Sequence, residues 1–362
     1  MPRVGALDGI HREAANRVDG ELAQLSLLHC SDPSAVLELE YGPVSEQFCD
    51  VGRGITLCFE TFGEPASPPA LLVMGLGMQM LGWHEDFCQA LADRGFYVVR
   101  FDNRDAGRST HVRGAPPTIP QLLRRSRSAA HYTLGDMAED SARLLDELGL
   151  APAHVIGASM GGMIAQTLAA HSPQKVSSLV SIMSSTGRLS SGQPNLRVYP
   201  VLLRRPPVGQ AAFVSHVERS FAAFGSRGLP RDEGDIREIA MRSYERDRDP
   251  AGVGRQLAAI IASGDRTREL HSIRAPTLVV HGTVDPLVAP SGGRATARAI
   301  PGAKLLRIKG MGHDLPRVIW PRLVDAIAEN AARAQPPKRG TAAEEPARAD
   351  GAADEAPAAM NA

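Results

Sequence analysis

Short apolar runs alternate with helix-patterned stretches over most of this chain, and that alternation limits its fold more than any other feature. Runs rich in β-branched or apolar residues at Ala70–Met74, Tyr97–Phe101, His154–Gly157, Val176–Ile182, Thr277–His281 and Lys304–Ile308 read as strands. A strand pair is expected ahead of them, at Glu46–Asp50 and Ile55–Phe62, turning through Val51–Gly54. Helical patterns fall at about Trp83–Arg94, from Thr133 to Gly149, after Ser159, and at about Pro321–Ala334. In the second of these, Thr133 and Asp136 have the spacing of a capping pair, and Leu134, Met137, Ala138, Leu144, Leu145 and Leu148 recur at helical intervals. Strands joined through helices require crossover connections. The expected class is therefore α/β, with a mostly parallel eight-stranded sheet flanked by helices.

The alternation breaks once. Between Ile182 and Thr277 no strand is legible, yet so long a structureless loop is improbable in a compact domain. Helices are expected there at Gln210–Ala223, Asp235–Tyr244 and Gly252–Ala262. Residues 184–272 thus read as a helical cap or lid inserted between two parts of one core, 43–183 and 273–334. At the edge of a parallel sheet, such an insertion would lie over the carboxyl ends of the strands, where these sheets bind ligands. Its Phe213, Phe221, Phe224 and Met241 could line a pocket or form a small core of their own. Residues 1–42 read as a polar extension with a weak helical pattern from Ile10 to Leu28. Residues 335–362 contain no Leu, Ile, Val or Phe and are expected to form a disordered tail, having nothing to bury against the entropy of ordering.

Charge excludes some partners. The chain carries 40 Lys+Arg against 40 Asp+Glu, so it lacks the cationic surplus on which nucleic-acid binding draws. No apolar run approaches the roughly eighteen residues of a membrane span, and the first thirty residues lack a secretory apolar region. Cys30, Cys49, Cys58 and Cys88 form no C-x-x-C pair and no metal-ligand spacing. They are expected to be free, buried or half-buried thiols, which implies a reducing, cytoplasmic setting. Neither a metal nor a cofactor is implied.

The sharpest chemical signal is Gly157-Ala158-Ser159-Met160-Gly161. A G-x-S-x-G pattern is weak in isolation. Here it follows an apolar strand and opens a helix, the setting in which a serine on a sharp turn holds its hydroxyl clear of a sheet. Small flanking residues let such a turn pack, and the helix N-terminus favours negative charge. The backbone N–H of Met160 is then a natural oxyanion donor. A serine nucleophile needs a base, and the base needs a carboxylate to orient it. His313, in the Gly-rich segment Gly310–His313 after the last strand, is the candidate base. Asp285, on the loop after Thr277–His281, is the candidate acid, ahead of Asp314 and Asp265. A second oxyanion N–H is expected from Leu76, with Gly75 and Gly77 as alternatives, on the loop after Ala70–Met74. The dense run Asp102-Asn-Arg104-Asp105-Ala-Gly107-Arg108-Ser109 reads as a bracing charge-and-turn network rather than an anion site.

With these residues in place, the chain resembles the α/β-hydrolase superfamily from about Val44 to Asn330. The order Ser159, Asp285, His313 is that family's order. The stretch from Val73 through Trp83 and Phe87 to Ser109 is similar to bacterial esterases related to aclacinomycin methylesterase, which remove a methyl ester from a polyketide skeleton. The family's frequent His-Gly oxyanion motif is Met74-Gly75 here. The resemblance implies a serine hydrolase acting on a small-molecule carboxylic ester. An acyltransferase or a cofactor-free perhydrolase using the same triad, and a non-catalytic ligand-binding protein on the same scaffold, are the alternatives.

Overall fold

The computed structural model describes residues 46–334, apart from 203, 205, 206 and 248. Eight strands form one sheet in the order β1-β2-β4-β3-β5-β6-β7-β8. They are β1 (Gln47–Asp50), β2 (Thr56–Phe62), β3 (Pro69–Val73), β4 (Tyr97–Phe101), β5 (Ala153–Ala158), β6 (Val176–Ile182), β7 (Thr277–Gly282) and β8 (Lys304–Ile308). β1 and β2 pair antiparallel, as do β2 and β4, and every other pairing is parallel. The turn between β1 and β2 needs three successive left-handed residues, and Gly52, Arg53 and Gly54 supply them with φ of 78°, 57° and 73°.

The central strands β3, β5, β6 and β7 are buried almost throughout, so they read as continuous apolar runs. Their side chains alternate between two cores. Leu71, Val73, Val155 and Leu179 pack toward Leu134, Leu145, Ile164 and Leu168 on one face. Ala70, Leu72, Ile156, Val180 and Ile182 pack toward Phe87, Leu91, Leu323 and Ile327 on the other. The helices carrying these residues are α1 (Glu85–Ala92), α3 (Leu134–Glu147), α4 (Met160–His171) and α11 (Trp320–Ala331). At the start of α3 the expected capping pair is present: Thr133 Oγ1 accepts the Asp136 N–H, and Asp136 Oδ2 accepts the Thr133 N–H.

The insertion is helical, and among its described residues no strand interrupts it. It contains α5 (Tyr199–Leu202), α6 (Gln210–Phe224), α7 (Glu233–Arg246), α8 (Ala251–Ser263) and α9 (Thr267–Leu270). Phe213 of α6 packs on Tyr244 of α7 with ring centroids 5.6 Å apart, so this aromatic belongs to the insertion's own packing. Met241 is 40% exposed.

Four helices have no counterpart in the sequence pattern: the short α2 (Ile119–Leu123), α5 and α9, and the longer α10 (Ser291–Ala299). α10 opens on Ser-Gly-Gly, poor helix formers, because the helix must approach β7 closely. A Cβ on Gly293 would fall 2.5 Å from Nδ1 of His281. The expected extension at 1–42 and tail at 335–362 lie outside the described residues.

Cys49 is half-buried, and Cys58 and Cys88 are fully buried; all three are free thiols. Burial raises the Cys58 thiol to about 12, helped by the nearby Asp102 carboxylate, and burial raises Cys88 to about 12 as well. The reactive thiolate is thus suppressed at both positions. Treatment of the native protein with a disulfide reagent at pH 8 is expected to leave Cys58 and Cys88 unmodified, as read by peptide mass spectrometry. Both should react after denaturation. Rapid modification of either in the folded protein would contradict this burial.

Candidate active site

Ser159 stands between β5 and α4 as the residue that begins the helix, with φ 57° and ψ −118°. A non-glycine residue there is strained, and the surrounding backbone holds it in place. Its N–H donates to Ile182 O at 2.9 Å, and its carbonyl accepts the Ser184 hydroxyl at 2.8 Å. The flanking glycines are required by contact. A Cβ on Gly157 would lie 2.2 Å from Gly161 O, and a Cβ on Gly161 would lie 2.0 Å from Val73 O. The turn is pressed against the end of β3, which leaves no room for side chains on either side of the serine.

Asp285 and His313 follow β7 and β8, the two strands beyond β6 in the sheet. The structure brings both to Ser159. His313 Nε2 lies 2.9 Å from Ser159 Oγ, and His313 Nδ1 lies 2.8 Å from Asp285 Oδ2. Asp285 Oδ1 accepts the N–H groups of Leu287 and Val288, each at 2.9 Å. With its side chain fully enclosed, this carboxylate has one oxygen fixed by the chain and the other free to face the imidazole.

His281, next to last in β7, lies beside this group, 3.5 Å from Asp285 Oδ2. Its Nε2 is 2.8 Å from Val288 O, and burial lowers its pKa, which favours the neutral ring. It packs under the acid rather than facing the serine. The competing carboxylates point elsewhere. Asp314 turns to Ser226, and exposed Asp265 accepts from the N–H and hydroxyl of Thr267.

The loop after β3 reaches the serine from the far side. A Cβ on Gly75 would lie 3.1 Å from Ser159 Cβ, so the backbone at Gly75 passes directly alongside. The Gly77 N–H donates to Gln256 Oε1 at 2.8 Å. That engagement removes Gly77 from the set of candidate oxyanion donors and leaves Gly75 and Leu76 beside Met160.

Gln256 belongs to α8, and it had no sequence signal. Its Nε2 donates to Arg104 O at 2.8 Å, bridging the loops after β3 and β4. The run Asp102–Ser109 is consumed internally. Asp102 accepts from Met80 N–H at 2.7 Å, from Arg108 N–H at 3.0 Å and from Arg246 Nη2 at 2.7 Å. Asp105 is gripped by both Nε and Nη2 of Arg255, at 2.9 and 2.7 Å, and by the Tyr132 hydroxyl at 2.6 Å. Arg104 pairs with Asp140 through two bonds. Arg246 and Arg255 come from α7 and α8, so the network fastens the insertion to the core.

Among the described residues, no three His, Cys, Asp or Glu side chains converge as a metal-binding group. No described helix is long and apolar enough to cross a membrane.

A mostly parallel sheet carrying a strained serine at its central strand-to-helix turn, with His and Asp delivered by the loops after its last two strands, defines a class of protein. The profile of the α/β hydrolase fold family matches residues 68–316, and the chain belongs to that family. Among particular proteins, it is similar to the rhodomycin D methylesterase DauP of Streptomyces sp. strain C5. The two are 28% identical over 295 residues, which cover 75% of this chain and 94% of that protein. It is also 29% identical over 245 residues to a poly(3-hydroxyalkanoate) depolymerase of Ectopseudomonas oleovorans, covering 67% of this chain and 77% of that protein. A hydrolase from Pseudomonas aeruginosa shares the fold, with a TM-score of 0.59 and 24% identity over 81% of this chain and all of that one.

Proposed function

We propose that this chain is a serine-dependent carboxylic ester hydrolase, methylesterase-like, that acts on a small to medium organic ester through an acyl-serine intermediate. The observation that carries the proposal is the unbroken line Ser159 Oγ, His313 Nε2, His313 Nδ1, Asp285 Oδ2, with contacts of 2.9 and 2.8 Å at its two joints. In this reading His313 takes the serine proton as Oγ attacks the ester carbonyl. It then returns that proton to the departing alkoxide. Asp285 fixes the imidazole tautomer and stabilises the imidazolium while it exists. Water, activated by the same imidazole, hydrolyses the acyl-serine.

The tetrahedral oxyanion would be received by the N–H of Met160, at the first position of α4, and by the N–H of Leu76. Each such donor contributes about 3–4 kcal/mol in comparable sites. The insertion, as a cap, would cover the site from above and exclude water from all but the deacylation step. The similarity to a methylesterase supports a methyl ester as the first substrate to try, with longer acyl and alkyl chains as comparisons.

A fluorophosphonate probe tests the nucleophile directly, because it reacts with a serine only where a base and an oxyanion site are assembled. One adduct per chain is expected, on the peptide carrying Ser159. It should vanish when the protein is unfolded before labelling. No adduct on the folded protein, or an adduct on another serine, would refute the proposal.

A further inference from the structure

The loop that carries His313 does not stand alone. Its amide donors and acceptors are met by the segment that leaves α6, in the insertion. The His313 N–H donates to Phe224 O at 2.8 Å, satisfying one of the carbonyls that a helix C-terminus leaves open. The Gly312 N–H donates to Ser226 Oγ at 3.0 Å, and Arg227 N–H donates to Gly310 O at 3.1 Å. On the other side of the histidine, Asp314 Oδ1 accepts the Ser226 hydroxyl at 2.5 Å, and Oδ2 accepts the Ser226 N–H at 3.0 Å. Ser226 therefore holds the residue before His313 and the residue after it at the same time.

The fit is close. A Cβ on Gly312 would lie 2.4 Å from the Gly225 carbonyl, so two glycine backbones touch where the segments cross. Asp314 and Ser226 are each 7% exposed. Among the described residues no cation pairs with Asp314. Asp314 meets Ser226 with both carboxyl oxygens, one on its hydroxyl and one on its N–H, and this pair of bonds fixes the hydroxyl direction and with it both flanks of the histidine.

We propose that Ser226 and Asp314 form a latch that positions the His313 imidazole between Ser159 and Asp285, so that the insertion takes part in setting the base as well as covering the site. The proposal rests on the reading of His313 as the general base. Neither latch residue touches the reacting atoms. Their effect passes through the backbone of residues 312–314, and a base displaced by a fraction of an ångström loses alignment with the serine proton.

The test is steady-state hydrolysis of a methyl ester by Ser226→Ala, Asp314→Asn and Ser226→Thr, with kcat expressed per folded protein, the folded fraction being read from circular dichroism and denaturant unfolding. Ser226→Ala is expected to lower kcat by about 10- to 100-fold with KM within twofold of the parent. Asp314→Asn should lose a comparable amount, and the double variant should be no worse than the poorer single, because both remove one device. Ser226→Thr keeps the hydroxyl and should return kcat to within threefold. If Ser226→Ala yields no folded protein, Asp314→Asn carries the same comparison. Unchanged kcat, a loss confined to KM, or equal loss in the threonine variant would overturn the latch. Ser159→Ala, run beside them, separates the two proposals. If it stays active the triad fails; if it is dead while the latch variants are normal, only the latch fails.

Discussion

Replacing Ser159 with alanine is expected to reduce ester hydrolysis by about 10⁴- to 10⁶-fold and to abolish the phosphonate adduct, with the fold intact. The serine is clasped through its backbone, by Ile182 O and the Ser184 hydroxyl, so removing Oγ leaves the turn anchored. His313→Ala should cost a similar factor, and the Ser159/His313 double variant should be little worse than either single, since the two groups act as one unit. Asp285→Asn should retain the loop geometry but lose about 10⁴-fold, because an amide stabilises the imidazolium poorly and can favour the wrong tautomer. Circular dichroism and single-turnover hydrolysis check all four. Turnover by Ser159→Ala within tenfold of the parent would exclude the proposed mechanism.

The second large effect concerns Gly161 and is steric. A Cβ there would overlap Val73 O at 2.0 Å, Val73 C at 2.6 Å and Met74 O at 2.7 Å. All three are backbone atoms at the end of β3, the strand paired with β5, and none can swing aside as a flexible side chain could. Gly161→Ala is expected to destabilise the protein by about 3 kcal/mol or more, by prising the elbow from β3. Gly95→Ala is the control. Gly95 has φ 84° and no atom within 4 Å of its absent Cβ, so only backbone strain of about 1–2 kcal/mol is expected. Denaturant midpoints at constant m-value distinguish the two. Equal losses would mean that crowding at Gly161 is not what demands a glycine.

The sheet was readable because β3, β5, β6 and β7 are buried on both faces and so appear as unbroken apolar runs flanked by turn residues. Helix α3 was readable from its periodicity, and α6 to α8 from the improbability of so long a structureless gap, with ends that moved by a few residues at most. α10 was not, because its glycines answer to the ring of His281 across the gap and work against helix propensity. The site divides the same way. Ser159 is announced by its neighbours in the chain, and Asp285 and His313 by the strands they follow. The bonds from Arg246 to Asp102, 144 positions apart, and from Ser226 to Asp314, 88 apart, have no local mark. Gln256 was likewise silent, although it accepts the Gly77 N–H and donates to Arg104 O.

His313 reaches Ser159 across 154 positions of chain. Consider the ribosome, which delivers these residues in order. The partners that clasp the elbow are all present once the chain has emerged through β6 and Ser184, yet its serine then has no base, because the imidazole rides on the loop after the final strand. If the triad acts as proposed, a nascent or truncated chain ending before β8 carries a shaped but inert nucleophile. Reactivity would switch on only when the last strand docks, so labelling of Ser159 would report completion of the sheet during synthesis.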